Sequence, residues 1–272
     1  MIHSSAVVDP FAEIDPDASI GPFCRVGPYV RIDRGTRLIS HVAIFGPTDI
    51  GKSNIIHPFA SLGGFPQDVK FLDDRRGRLV IGDGNQIREY VTVNRGTAKS
   101  EGVTRVADDC LLMNSVHVAH DVTLGSGCVI ASDSLIAGHA IIDRHVRLSG
   151  GVRVGQFVRL GSYAFAAAGA LIDRDVIPYG ITAGTDRAAI RGINLVGVRR
   201  AGFPDAVVRS LVKAWQILSD RDRPYEDRRD AVRARFGHVI EVLHVLAFMD
   251  ESRKRGQGVR VVRAGAGLSG EA

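Results

Sequence analysis

Two histidines and a carboxylate stand close together in the middle of the chain. His117, His120 and Asp121 occupy the stretch N-S-V-H-V-A-H-D at residues 114–121. An imidazole exchanges protons near neutral pH, and a neighbouring carboxylate can orient the ring or raise its basicity. A lone exposed histidine is more often ordinary surface. The chemistry therefore depends on what the fold brings beside His120.

A sixfold repeat surrounds these residues and predicts the fold that positions them. From Val106 to Ile172 a mostly aliphatic residue recurs every six positions, and a second compact residue follows each one four places later. This period is the signature of a parallel β-helix. Residues two apart on a strand face the same side, so each hexad supplies two inward side chains and then turns. His117 and His120 lie off these positions, and we expect both to point away from the interior.

The repeat begins at Ile2 and breaks twice. In the first run, Asn54 is the one polar exception to the compact residues at the companion positions. Residues 63–80 and 94–105 lack the hexad, and the first of these breaks is rich in Gly, Pro and charge. Loops on a rigid scaffold often carry function. We therefore predict a β-helix over residues 1–185 that ejects loops at 63–80 and 94–105.

Helical signals follow the repeat. Pro204 can open one helix, a second is expected from Pro224 to about Phe236, and a third over about 238–254. The sequence predicts a C-terminal helical domain at 186–255 that caps the open end of the solenoid. The Gly- and Arg-rich stretch 256–272 is expected to be a flexible tail.

Composition restricts the fold, the partners and the cellular compartment. Aromatic residues make up 6%, which suits a narrow prism, and the net charge of +5 fits either an anionic partner or a solvated basic surface. Cys24, Cys110 and Cys128 fall at inward positions and are expected to be buried free thiols in a reducing compartment. We see no signal peptide and no membrane-spanning run. These features predict a cytoplasmic protein, and no nucleic-acid partner is indicated.

Several motifs resemble those of one enzyme family. They are Pro66-Gln67-Asp68-Val69-Lys70, Arg88-Glu89, Val91-Thr92-Val93-Asn94-Arg95-Gly96-Thr97, His117-x-x-His120-Asp121, Ala137-Gly138-His139, Gln156-Phe157, and Gly192-x-Asn194 before Arg200. Together with the hexad they resemble the UDP-N-acetylglucosamine O-acyltransferase family, which performs the first step of lipid A synthesis. The resemblance runs from Ile2 to about Phe203 and continues more loosely through the helices.

The resemblance implies a mainly β fold, a left-handed parallel β-helix with three hexads on each coil, followed by a C-terminal α-helical domain. Residues 18 apart then stack in columns about 4.8 Å apart. Gly138 lies one coil beyond His120, and His139 lies one coil beyond Asp121. Glycine has no side chain to shield its amide, and a bare N–H beside a general base suits an oxyanion.

The family's mechanism implies roles for these residues. His120 would be the general base that takes the proton from the sugar 3-hydroxyl, and Asp121 would hold it. That oxygen would attack the thioester of a 3-hydroxyacyl chain on acyl carrier protein, while the Gly138 amide stabilises the oxyanion. The transfer would be direct, with no covalent enzyme intermediate, no metal and no other cofactor.

The resemblance also implies a set of substrate contacts. The residues expected at the sugar-nucleotide, the reacting groups and the nucleotide end are Gln67, Asp68, Lys70, His117, His139, Gln156, Asn194 and Arg200. Without the resemblance, Lys70 and Arg200 could be surface cations and Asn194 a polar residue of the helical region. Ala168 occupies the position that measures the acyl chain, and its small size predicts a medium to long 3-hydroxyacyl group.

The chain departs from the family pattern at two positions. Many members carry a histidine where Gly155 stands, and often a second basic residue where Ala201 stands. The acceptor is therefore open between UDP-N-acetylglucosamine, its 3-amino analogue, which would give an amide, and another nucleotide sugar.

The sequence also brings three rival functions into question. A γ-type carbonic anhydrase needs three histidines on one zinc, and His117 and His120 have no obvious third partner. The intact His120, Asp121 and Gly138 argue against a catalytically lapsed scaffold, whereas Gly155 and Ala201 keep that alternative open. A later N-acyltransferase of the pathway usually carries an N-terminal domain, whereas this chain begins in the repeat at Ile2.

The walls of a β-helix are flat, whereas ligand sites are usually concave. Relatives solve this by packing three prisms in parallel. We therefore expect a cyclic homotrimer in which His120 of one chain faces residues of the next. The basic C-terminal helices are expected to face the acidic acyl carrier protein.

Overall fold

The structure is a computed structural model that describes residues 1–70, 76–99 and 101–261. The chain winds around a three-sided prism whose walls are parallel β-sheets, and helices follow near the C-terminus. The fold is a left-handed parallel β-helix followed by a C-terminal α-helical region, as predicted.

Each coil places one short strand in each wall. The first wall contains Val7–Val8, Arg25–Val26, Ala43–Ile44, Ser61–Gly64, Thr92–Asn94, His117–Val118, Leu135–Ile136, Arg153–Val154 and Leu171–Ile172. The second wall contains Glu13–Ile14, Val30–Ile32, Thr48–Ile50, Arg78–Ile81, Val103–Val106, Thr123–Leu124, Ile141–Ile142 and Arg159–Leu160. The third wall contains Ser19–Ile20, Arg37–Leu38, Ile55–Ile56, Gln86–Ile87, Leu111–Leu112, Val129–Ile130, Arg147–Leu148, Phe165–Ala166, Gly180–Ala183 and Ala189–Ile193.

The register of the walls confirms the stacking that the resemblance implied. Leu111 pairs with Val129, and Thr123 pairs with Ile141, so paired residues are 18 apart in the uninterrupted region. The aliphatic hexad residues point inward, and from Ile20 onward nearly all of them are fully buried. The core is a narrow column because two small side chains per hexad fill it.

Asn54 shows how the core accepts a polar residue. Its side chain is fully buried, donates to the Gly82 carbonyl over 2.9 Å and accepts from the Asn85 amide over 2.9 Å. Asn85 in turn accepts from the Cys110 amide over 2.8 Å. Backbone groups of neighbouring coils thus satisfy the buried amide. All three cysteines are buried and free, as predicted.

The prism has three corners, and both interruptions of the repeat leave from the same one. We call the turn from first to second wall the first corner, from second to third wall the second corner, and from third to first wall the third corner. The segment between Ser61–Gly64 and Arg78–Ile81 leaves at the first corner, as does the segment between Thr92–Asn94 and Val103–Val106. Residues 71–75 of the first expected loop and residue 100 of the second lie outside the described residues.

The C-terminal region differs from the expected helical domain at its start. Residues Ala189–Ile193 form a strand antiparallel to Gly180–Ala183, so the third wall continues beyond residue 186. Four helices follow: α1 (Leu195–Arg200), α2 (Asp205–Leu218), α3 (Tyr225–Phe236) and α4 (Ile240–Lys254). The last three match the predicted helices, whereas α1 was not foreseen because six residues give too little periodicity to detect.

Helix α4 lies against the second wall, and the described residues after it return to the β-helix. Arg159 bridges Glu251 over 2.8 Å and stacks over the Phe248 ring at 4.7 Å. Val259 and Val261 form β-bridges with earlier residues, so residues 256–261 pack on the β-helix rather than forming the expected tail. Their apolar side chains alternate inward, which the Gly and Arg content obscured.

Residues 262–272 lie outside the described residues. No described helix combines the length and apolar character needed to cross a bilayer.

Candidate active site

His120 and Asp121 form a buried pair at the first corner. His120 Nδ1 lies 2.9 Å from Asp121 Oδ2. The exposed fractions of the two residues are only 5% and 9%. His120 lies off the inward hexad positions, as predicted, yet it is covered. The segment after Thr92–Asn94 provides this cover, since Thr97 contacts the carboxylate directly.

Thr97 and Thr104 determine the orientation of Asp121. The Thr97 amide donates to both carboxylate oxygens, over 3.0 and 3.2 Å, and its hydroxyl donates to Oδ2 over 2.7 Å. The Asp121 amide donates to the Thr104 hydroxyl over 2.8 Å. These donors stabilise the negative charge on the carboxylate. Because the ionised carboxylate only accepts, the His120 Nδ1 proton points to it, and Nε2 keeps a free lone pair.

Gly138 lies directly beside the His120 ring. A Cβ at this position would lie 2.7 Å from Cε1 and 2.9 Å from Nε2 of His120. Any other residue would therefore push the imidazole away. The Gly138 amide donates to no acceptor among the residues that the structure describes. The corner thus holds a basic nitrogen beside an unused N–H donor, the pair needed for proton removal and oxyanion stabilisation.

His139 completes the cluster from the next coil. Its Nε2 lies 3.7 Å from Asp121 Oδ2, and its ring meets the His120 ring edge-on at 5.2 Å. The His139 ring also stacks on Phe157 at 4.7 Å. Burial lowers the pKa of His139, and the nearby Asp121 carboxylate opposes that shift. His139 is therefore neutral at pH 7 and can accept or donate a hydrogen bond.

His117 lies on the first wall beneath the same corner. Its Nδ1 is 2.7 Å from the Thr92 hydroxyl. Burial lowers the pKa of His117, and positive charge on His120 would lower it further. His117 is thus a neutral hydrogen-bonding group next to the buried pair.

The loop residues and Gln156 surround this cluster. The Asp68 carboxylate accepts from the Lys70 amide over 3.0 Å and lies close enough to His139 to oppose the lowering of its pKa. Gln67, Lys70 and Gln156 are exposed. The first corner therefore brings together most of the predicted site, although the side chains of the exposed members make no hydrogen bond to another described residue.

Asn194, Arg200 and Ala168 lie elsewhere on the prism. Asn194 caps α1 by accepting from the Gly197 amide over 3.0 Å, and it donates to the Tyr163 carbonyl over 2.9 Å. Its polar atoms thus serve the fold. Arg200 lines a cavity of about 580 Å³ between α1 and the third wall. Ala168 lies at the third corner. Within one chain these three residues do not share a site with His120.

His120, Asp121 and His139 have side-chain atoms that lie within 4.8 Å of one another, a spacing that could hold a metal ion. The hydrogen bonds compete with such a role. Asp121 Oδ2 already receives the Thr97 hydroxyl at 2.7 Å and His120 Nδ1 at 2.9 Å. A cation on this oxygen would have to displace donors that are buried and well aligned. The donor set therefore fits an acid–base pair better than a metal centre.

Sequence reasoning missed the positioning roles of Thr97 and Thr104. Thr97 belongs to the Asn94-Arg95-Gly96-Thr97 stretch that contributed to the resemblance, but its role requires the loop to fold back onto Asp121. The break of the hexad just before the His117-x-x-His120-Asp121 motif was the available signal. The contact of Thr104 is visible only in the structure, where its buried hydroxyl accepts the amide of Asp121, a residue with φ of 60°.

Comparison with known proteins gives consistent matches. The family described as bacterial transferase hexapeptide (six repeats) matches residues 104–138. The family described as UDP-N-acetylglucosamine O-acyltransferase, domain 2, matches residues 175–258. The two matches cover part of the β-helix and all four described helices.

Relatives extend the similarity over nearly the whole chain. A UDP-N-acetylglucosamine O-acyltransferase of Caulobacter vibrioides that uses acyl-acyl-carrier-protein is 44% identical and covers 93% of this chain and 96% of its own. The enzyme of the same name from Thermodesulfovibrio yellowstonii is 38% identical, with 94% and 98% covered. The solved UDP-N-acetylglucosamine acyltransferase of Francisella novicida has a TM-score of 0.91 at 34% identity and covers both chains completely. This chain therefore belongs to the UDP-N-acetylglucosamine O-acyltransferase family.

Proposed function

We propose that this protein transfers an (R)-3-hydroxyacyl chain from acyl carrier protein to the 3-hydroxyl of UDP-N-acetylglucosamine, the first step of lipid A biosynthesis. One observation carries the proposal beyond family membership. The His120 ring, held by Asp121, lies beside the glycine at position 138, whose amide has no acceptor in the described chain. Acyl transfer to a hydroxyl needs this combination.

The reaction follows from the geometry. His120 Nε2 takes the proton of the sugar 3-hydroxyl as the oxygen attacks the thioester carbonyl. The negative charge on the carbonyl oxygen is stabilised by the Gly138 N–H. Asp121 stabilises the imidazolium that forms. The C–S bond then breaks, and the phosphopantetheine thiolate takes the proton from His120. Neither a covalent enzyme intermediate nor a resident cofactor is required.

The glycine at position 155 allows two candidate acceptor sugars. A Cβ there would lie 3.2 Å from the Ile172 carbonyl, a tighter contact than most side chains make. The histidine that many relatives carry is absent from this rung. A sugar with a 3-amino group would use the same base and the same oxyanion donor, and it would give an amide. This analogue is the second candidate acceptor.

We propose further that the active unit is a cyclic homotrimer. The base lies at the first corner, whereas Arg200 lines the cavity between α1 and the third wall, and Ala168 lies at the third corner. One chain cannot present all three to one ligand. A neighbouring copy packed in parallel could place its third wall and α1 opposite the first corner. Sedimentation velocity should therefore give a trimer, and a stable monomer with full activity would exclude this arrangement.

The partners follow from the same proposal. The donor is the phosphopantetheine thioester of acyl carrier protein, whose acidic surface would meet the basic helices α2 and α3. We place the reaction in the cytoplasm, where three buried free thiols would stay reduced. Asp68, Lys70, Gln67 and Gln156 would contact the sugar-nucleotide or the reacting groups, and Asn194 would hold Arg200 in place by capping α1.

The test incubates the purified protein with UDP-N-acetylglucosamine or its 3-amino analogue and a series of 3-hydroxyacyl carrier thioesters, with product identification by mass. The expected product is the O-acyl sugar-nucleotide, with the best turnover for medium to long chains because Ala168 is small. Replacing the base in His120→Ala should reduce kcat by roughly 10²–10⁴-fold.

His41→Ala is the matched control, since His41 is an exposed histidine on the third corner without a carboxylate partner. Exclusive formation of the amide would reassign the acceptor. Equal loss in both variants, or no product from any thioester, would refute the proposed function.

A further inference from the structure

The cavity between α1 and the third wall carries two guanidinium groups. Arg200 comes from the end of α1, and Arg147 projects outward from the third wall between Val129 and Phe165. Both arginines are exposed. Neither pairs with a carboxylate within the part of the chain that the structure describes, and no acidic residue lines the cavity. Their positive charge is therefore available to a ligand.

The rest of the lining is aromatic and apolar. The His145 and Tyr163 rings stack at 4.8 Å, and the Phe165 ring and Ile181 side chain belong to the same wall of the cavity. A volume of about 580 Å³ is in the range of small-molecule sites. Two guanidinium forks beside planar rings suit a ligand that joins a planar ring to two phosphate charges.

We infer that Arg147 binds the diphosphate of the nucleotide-sugar substrate together with Arg200. This inference rests on the proposed function, because the nucleotide would extend from His120 of one copy into this cavity of its neighbour. The chain lacks a basic side chain at Ala201, which also lines the cavity. Arg147 supplies a second positive charge from the opposite wall, so the diphosphate lies between two cations rather than along one helix.

The shared chemistry of the ligand is a phosphate ester, which could also come from the phosphopantetheine of the carrier protein. The number of charges favours the nucleotide. A diphosphate carries two negative charges for two guanidiniums, whereas the phosphopantetheine diester carries one. The planar rings of the lining have a further partner in a pyrimidine base and none in the pantetheine arm.

The test compares Arg147→Ala and Arg147→Lys with Arg153→Ala in the intact protein. Arg153 is the matched control because it is also exposed and points outward, but from the first wall between Leu135 and Leu171. Loss of a charge-assisted hydrogen bond should raise KM for UDP-N-acetylglucosamine about 10- to 100-fold in Arg147→Ala with kcat nearly unchanged. Arg147→Lys should recover part of the loss, because it keeps the charge without the fork.

Calorimetric titration with UDP and with UMP provides a readout that does not need turnover. The Arg147→Ala variant should lose affinity for UDP by the same factor and should lose less for UMP. A rise in KM for the carrier thioester alone would assign Arg147 to the phosphopantetheine and overturn the inference. Unchanged constants in a wild-type background that acylates UDP-N-acetylglucosamine would overturn it too, while leaving the proposed function intact. Failure of acylation together with Arg147-dependent UDP binding would instead count only against the proposed function.

Discussion

Two corners of the same prism share one backbone conformation but place their histidines in different surroundings. His139 at the first corner and His41 at the third corner both have positive φ, 61° and 51°, and both pack against an aromatic ring of a neighbouring coil. His139 lies 3.7 Å from a buried carboxylate. His41 stands exposed in a ladder with Phe23 and Phe59. The repeat therefore positions side chains but does not make a site.

The difference comes from the two ejected segments. Both leave from the first corner, and the second returns Thr97 to the Asp121 carboxylate. The third corner ejects nothing among the described residues, and its rings Phe59 and Tyr90 stay 49% and 58% exposed. Burial by a loop strengthens each electrostatic contact, because water no longer competes for it. The proposed role of His120 as a general base therefore depends on its cover and its neighbours.

Among comparisons of the two corners, we expect the largest difference in kcat from substituting glycines at equivalent turn positions. In Gly138→Ala the new methyl would lie 2.7 Å from the His120 ring, so the imidazole must move. Displacement of a catalytic group by about an ångström can cost on the order of 100-fold, and we expect that loss in kcat. Gly150→Ala is the control, because its Cβ would meet nothing closer than 3.6 Å. Steady-state kinetics of both variants measure the contrast, and near-wild-type turnover in Gly138→Ala would show that the ring position is not critical.

A smaller effect isolates the loop contact. Thr97→Val keeps the shape but removes the hydroxyl that donates to Asp121 over 2.7 Å. We expect kcat to fall roughly 10-fold, in line with about 1.5–3 kcal/mol for a hydrogen bond to a charged group, and Thr97→Ser to restore it. Thr36→Val removes a hydroxyl that is also buried and donates to the Gly51 carbonyl over 2.7 Å. Denaturant unfolding should show a loss of stability in both, whereas only Thr97→Val should lose turnover. Equal kinetics in the two variants would make Thr97 purely structural.

The hexad predicted the walls well because a wall depends only on side chains that recur along the chain. The same logic identified His120 as pointing off the interior and, with the stacking implied by the resemblance, placed Gly138 beside it. Asn54 broke the pattern without breaking the fold, because its amide bonds the turn of the next coil. Local regularity was therefore sufficient for the scaffold.

The remainder depended on contacts between distant segments. The cover from Thr97 depends on where a loop returns, and α1 is too short to leave a periodic trace. The sequence did not distinguish Arg147 from the other outward-facing residues of the walls. Its position becomes informative only in the structure, where it lines a cavity together with residues of α1. Sequence alone also could not show that the Asn194 side chain donates to the Tyr163 carbonyl and accepts from the Gly197 amide.

The smallest expected effect is on acid stability, and it returns to His139 and His41. Burial lowers the pKa of His139 in the folded protein, so the unfolded chain binds the proton more readily. The free energy of unfolding should then fall as the pH drops below about 6.5, the ordinary value for histidine, and through the lowered folded pKa. His139→Gln removes this proton uptake and should reduce the slope between pH 7.5 and pH 5, to which His117 still contributes because burial lowers its pKa as well. His41→Gln, a substitution at the exposed third corner, is the control. Urea unfolding across that range measures both slopes. An unchanged slope in His139→Gln would mean that the ring is solvated in the folded protein, and the contrast between a covered and an uncovered corner would lose its electrostatic basis.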